Sequence, residues 1–155
     1  MNIKKFLPIL SVVAIFLWFA SSCEDETEIA GQEVPSSEIL LHNPLCSWSE
    51  MKTNQLYKIN SSQGLTNLLS CEDGIPEFNF DDNTLLIVSG KTSYNITEIK
   101  KHLAKISHER YILTIEVSLD GETGGDTDNK NWILSLQTPK IPNSATVELV
   151  INYIS

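Results

Sequence analysis

The chain is poor in the groups that most chemistry uses. Among its 155 residues it has one arginine, Arg110, three histidines and three cysteines. No run of lysine or arginine makes a basic patch, and the formal net charge is −9. Nucleic-acid backbones repel such a surface, which excludes DNA and RNA as partners. The histidines are His42, His102 and His108, and neither an H-x-x-x-H nor a C-x-x-C spacing occurs. The ligand pattern of a zinc site is therefore missing. No G-x-S-x-G elbow is present, and nothing around Cys46 or Cys71 resembles a nucleophile motif. The stretch SGKTS (89–93) carries the Gly-Lys-Thr of a phosphate loop, but Leu85 stands where the upstream glycine is required. This inventory predicts neither an enzyme nor a cofactor.

Long apolar runs are also scarce, and the one that exists is short. Lys4 and Lys5 precede the apolar residues 6–20, which only Pro8 and Ser11 interrupt. A bilayer span needs about 20 residues. A positive start, a shorter apolar stretch and small residues at its end are the marks of a secretory signal. The small residues Ala20, Ser21 and Ser22 lead into Cys23. This resembles the lipobox of bacterial lipoproteins, with Ala20 where leucine is commoner. The resemblance implies cleavage before Cys23, a diacylglycerol thioether on its sulfur and a further acyl chain, such as palmitate, on its amine. Two or more chains hold a protein stably at a membrane, at about 0.8 kcal/mol per buried methylene.

Removal of residues 1–22, with two lysines and no acid, takes the remainder from −9 to −11. Glu24, Asp25, Glu26 and Glu28 follow the cysteine at once. Like charges repel, so residues 23–38 read as an extended, solvated tether. An acidic run in this place also resembles the surface-export signal of lipoproteins in the Bacteroidetes group. The expected location is the outer membrane, on its periplasmic or cell-surface face.

Residues 39–155 hold 14 acids and 9 bases and read as a single globular domain. Domains of this size have modest cores, and exported ones are often cross-linked. With Cys23 lipidated, only Cys46 and Cys71 remain, so one pairing is possible. Alternation in "NQLYKIN", "RYILTIEVSLD", "WILSLQTP" and "ATVELVINYI" predicts strands. The continuous run "TLLIVSG" predicts a central strand buried on both faces. In "SSQGLTNLLS", capping serines precede Leu65, Leu68 and Leu69 at helical spacing. The segment 96–108 is ambiguous. Ile96, Ile99, Leu103 and Ile106 step by 3, 4 and 3, a helical stripe, yet the resemblance described next favours strand through Ile99. The fold class expected is α+β, β-rich, with a small, mainly antiparallel sheet or sandwich and one short helix.

The loop "DGETGGDTDNKN" offers Asp120, Glu122, Asp126 and Asp128 as oxygen donors. Asp126 and Asp128 start like an EF-hand, but Lys130, Asn131 and Gln137 occupy positions that need a ligand, a glycine and a glutamate. The loop reads first as a solvated connection, with these four residues as weak candidates for an irregular calcium site.

The pattern "YKINSSQGLTNLL…IPEFNFDDNTLLIVSGKTSYNITEI…RYILTIEVSL", closed by "WILSLQTPKIPNSATVELVI", resembles small lipoproteins of gut Bacteroidetes. It is more distantly similar to the C-terminal domain of an accessory subunit of a spirochaete surface protease complex. Phe80-Asp81 reverses the family's "DF", and Ser93-Tyr94-Asn95-Ile96 replaces its Gly-Gly-Tyr. The resemblance implies no catalytic residue. The anchor, the tether, the β-rich domain and the missing catalytic constellation imply a lipid-anchored, non-catalytic module that binds an envelope protein, and the resemblance adds a surface protease as one partner class to be stabilised or inhibited. The alternative is a carbohydrate or small-ligand binder, for which Trp48 and Trp132 offer rings that stack on sugars.

Overall fold

The structure is a computed structural model that describes residues 31–41, 45–75, 77–120 and 129–155. The elements run β1 (Gln32–Glu33), β2 (Ser37–Glu38), β3 (Cys46–Trp48), β4 (Gln55–Ile59), α1 (Ser62–Thr66), β5 (Leu69–Cys71), β6 (Asn83–Thr92), β7 (Asn95–Lys105), β8 (Arg110–Asp120), β9 (Lys130–Pro139) and β10 (Thr146–Ile154). This is a β-rich, mainly antiparallel fold with one short helix, as the residue pattern predicts. Two four-stranded sheets, ordered β1-β7-β8-β10 and β2-β9-β6-β4, face each other, and β3 pairs with β5 beside them. The pairing of β8 with β10 is parallel. It arises because the chain leaves β8, crosses to the other sheet as β9 and returns as β10. Parallel neighbours need such a crossover, whereas antiparallel ones need only a turn.

Alternation decides what each face does. On β8, Tyr111, Leu113, Ile115 and Val117 all point inward and are buried. They meet Leu86 and Val88 of β6, Leu103 of β7 and Trp132, Leu134 and Leu136 of β9 in the main core between the sheets. The opposite face of β6 places Leu85 and Ile87 in a second core with Cys46, Ile59, Leu65 and Leu69. Strand β6 is thus covered on both sides, which is why "TLLIVSG" has no polar alternation. Truncation of any of these fully buried leucines to alanine costs about 2–5 kcal/mol.

The second core is held by a short layer. Ser61 caps α1 by accepting from the Gly64 N–H at 3.2 Å, as the capping serines predict. The helix is shorter than the leucine spacing suggests: it ends at Thr66, and Leu69 reaches the core from β5. Cys46 and Cys71 sit directly opposite each other in the β3–β5 pair and form a disulfide, with Cα atoms 4.0 Å apart.

The ambiguous segment is strand along its whole length to Lys105. A β-bulge between Ile96 and Glu98 inserts Thr97, whose hydroxyl donates to the Ser118 carbonyl. The extra residue turns the spacing from Ile96 to Ile99 into three. Ile99 to Leu103 is two strand periods, with Lys101 at the inward position between them. Ile106 lies beyond the strand, where its N–H donates to the Arg110 carbonyl in the β7–β8 turn. A bulge followed by a lysine therefore imitates a helical stripe.

The described part of the tether, 31–38, joins the fold. Gln32 and Glu33 pair with Lys105 and Ala104 at the end of β7, and Ser37 and Glu38 pair with Gln137 and Leu136 on β9. Between them Val34 packs on the main core, and its N–H donates to the Leu103 carbonyl. The chain enters at the β7–β8 turn and crosses from one sheet to the other.

The same end is tied by a lysine. Lys58 Nζ donates to the carbonyls of Pro142 (2.9 Å), Asn143 (3.1 Å) and Ala145, in the turn that leads into β10. Burial lowers the Lys58 pKa below the ordinary lysine value.

Candidate functional site

At the opposite end of the sandwich, β6 and β9 lie side by side with Ser89 opposite Ile133, Gly90 opposite Trp132 and Lys91 opposite Asn131. The segment 48–53, which starts at the last residue of β3, stands beside these pairs. Together they line an open cleft of about 400 Å³, formed by Trp48, Ser49, Glu50, Met51 and Thr53 on one side and the six strand residues on the other.

The 48–53 side is pinned at several points. The Ser49 N–H donates to the Leu68 carbonyl at 2.8 Å, and the Ser49 hydroxyl reaches the Asn67 and Leu68 carbonyls. The Ser89 hydroxyl donates to the Lys52 carbonyl at 2.7 Å, and the Asn54 N–H returns to the Ser89 carbonyl at 2.8 Å. The Lys52 N–H donates to the Tyr57 hydroxyl. Asn54 takes a left-handed φ of 57°, a conformation asparagine tolerates, which turns the chain into β4. With the disulfide two residues before Trp48, this side is fixed before any ligand arrives, and less order must be gained on binding.

The two tryptophans that the sequence singles out reach the same cleft in different ways. Residues paired across antiparallel strands share a face, so Trp132 and Gly90 both point toward the main core. The Trp132 ring covers Gly90 so closely that a Cβ there lies 2.1 Å from Cε2 and Cζ2. Trp132 is buried, and among the described residues its Nε1 has no hydrogen-bond partner. Its ring closes the end of the core and offers no stacking surface. Trp48 is half-buried, packs against the second core and also lines the cleft.

The other predicted positions separate. Cys23, the acidic residues 24–28, His42, Glu122, Asp126 and Asp128 lie outside the described residues. Asp120 ends β8. His102 is on exposed β7 surface, and His108 is in the β7–β8 turn. The SGKTS stretch is extended strand to Thr92, not a loop opening a helix, so it makes no phosphate cradle. Among the described residues no cluster of three His, Cys, Asp or Glu side chains is placed to hold a metal ion. No helix among them is long and apolar enough to cross a membrane.

No protein-family model matches the chain, and neither a curated protein nor a solved structure matches it. The cleft must therefore be read from its own residues. Glu50, Lys91 and Asn131 escape a reading of the sequence, because only the β6–β9 register and the long-range hydrogen bonds of 48–54 bring them together.

Proposed function

We propose that this protein is a lipid-anchored lipoprotein of the outer membrane whose domain is a non-catalytic protein-interaction module. The single observation that carries the reading is the order of residues at the start of the chain. Two lysines, an apolar stretch, Ala-Ser-Ser, Cys23 and then acid form a lipoprotein signal and its tether. The disulfide supports export, because cross-links persist outside the reducing cytosol.

The anchor also limits how far the domain stands from the membrane. Nine residue steps separate Cys23 from Gln32, and an extended chain covers at most about 3.6 Å per residue, or roughly 30 Å in all. The β7–β8 turn, beside which β1 begins, then lies within that reach of the membrane. The partner is an envelope protein. The similarity to an accessory subunit of a protease complex suggests a surface protease that the module stabilises or inhibits.

The test is crosslinking on intact cells, gentle solubilisation of the outer membrane, recovery of the protein and mass spectrometry of what accompanies it. The control is the Cys23→Ala form. An envelope protein recovered with the anchored form and lost with the control supports the proposal. Recovery of nothing from either form counts against an interaction module.

A further inference from the structure

We infer that the cleft at the end opposite the β7–β8 turn is a binding site for a neutral saccharide. The inference does not depend on the anchor or on the protein partner. Its first support is that the cleft is built. Its volume of about 400 Å³ lies within the range usual for small-ligand sites, about 300–1,000 Å³. One side is tied to α1, β5 and β6 by hydrogen bonds, and the other is the paired β6–β9 ladder.

The second support is the state of its polar groups. Glu50, Lys91 and Asn131 are exposed and line the cleft. Among the described residues none of their side chains has a hydrogen bond or ion pair, although other polar side chains around them, such as Ser49 and Ser89, are bonded. Glu50 and Lys91 carry opposite charges on one small surface and do not pair with each other. Both are hydrated in the free protein and open to a ligand.

The donor set then disfavours ligands of a single charge sign. Glu50 only accepts, Lys91 only donates, and the Asn131 amide does both. A phosphate or carboxylate ligand satisfies Lys91 and opposes Glu50. An ammonium ligand does the reverse. Adjacent hydroxyls donate to the carboxylate and accept from the ammonium at once. The partly open Trp48 indole supplies the remaining element, an aromatic surface for the C–H face of a pyranose. A ring with hydroxyls at its edge and an apolar face matches all four groups.

The test is NMR of the full chain, oxidised and held in micelles of a zwitterionic detergent without a sugar headgroup. Free glucose, galactose, mannose, xylose, N-acetylglucosamine and cellobiose are each added to millimolar concentration. The expected result is saturable movement of the Trp48 indole N–H and of the Lys91 and Asn131 amides with at least one sugar, while the Trp132 indole N–H stays in place. Trp48→Ala is expected to weaken that binding about tenfold, consistent with loss of one aromatic contact. Trp48 also packs on the second core, so Glu50→Ala and Lys91→Ala serve as surface variants that leave the fold intact, and each is expected to weaken binding several-fold. A flat response to the whole panel overturns the inference. So does movement caused by a peptide mixture and by no sugar, which reassigns the cleft to a protein partner.

Discussion

Gly90 is the position where the sandwich has least room, and Gly90→Ala measures how tightly its end is closed. A Cβ on Gly90 lies 2.1 Å from Cε2 and Cζ2 of Trp132 and 2.6 Å from Nε1, well inside contact distance. The ring is buried in the main core on the same strand face as Leu134, so it moves only by disturbing that packing. Overpacking of this kind costs about 1–3 kcal/mol, and a rigid indole between two sheets places this case near about 3. Alanine also restricts the unfolded chain, which returns about 0.5 kcal/mol because Gly90 does not have a positive φ. The expected net loss is about 2.5 kcal/mol, or about 10 °C in Tm for a domain of this size. Thermal unfolding followed by circular dichroism reads it directly. The same change in a Trp132→Leu background is the control, since the clashing ring is then gone. There Gly90→Ala is expected to be neutral or slightly stabilising. Refutation takes either of two forms: a Tm for Gly90→Ala within a degree or two of the parent, or an equal loss in both backgrounds.

Other consequences are as concrete. The Cys46–Cys71 link closes a loop with a sequence separation of 25. Chain entropy assigns it roughly 3.5 kcal/mol, so denaturant unfolding with and without reductant should differ by about that amount. Lys58→Met removes the donor shared by three carbonyls at the β10 turn and is expected to cost about 1–2 kcal/mol in the same assay. Because burial lowers the Lys58 pKa in the folded state, the unfolded chain holds that proton more tightly. The contribution of this group is complete above the ordinary lysine value of 10.5 and is lost as pH falls through the lowered one, so stability rises with pH across that window. A lysine side-chain NMR titration should find Lys58 losing its proton before the exposed lysines do. Val34→Asp places a charge against the main core and should destabilise by about 2 kcal/mol, with earlier proteolysis near residue 34.

Much of the fold was legible because its strands obey simple alternation. "RYILTIEVSLD" displays one buried face, and that face is β8. "TLLIVSG" has no exposed face, and β6 lies between two cores. The segment 96–106 was harder for a local reason: Thr97 at a bulge and Lys101 at an inward position changed the spacing that distinguishes strand from helix. The role of 31–38 was hidden by its composition. A glycine, a proline, serines and two glutamates read as tether, and only the open edges of two distant sheets give them partners. The cleft was half legible. Its tryptophans stand out in any sequence, but Gly90 shows that one of them is committed to the core. Glu50, Lys91 and Asn131 meet through contacts remote in sequence, which no local pattern records.

The central claim, that the chain is held at the membrane through Cys23, is tested most directly by its N-terminus. The protein is recovered from the membrane fraction of its own cells after labelled palmitate is fed to them, and the N-terminal peptide is weighed by mass spectrometry. The account predicts label in the protein, a mature chain that begins at Cys23 and a mass increased by diacylglycerol and a further acyl chain. It also predicts that Cys23→Ala abolishes the label. An unlabelled protein whose mature chain begins elsewhere, with an unmodified Cys23, contradicts it.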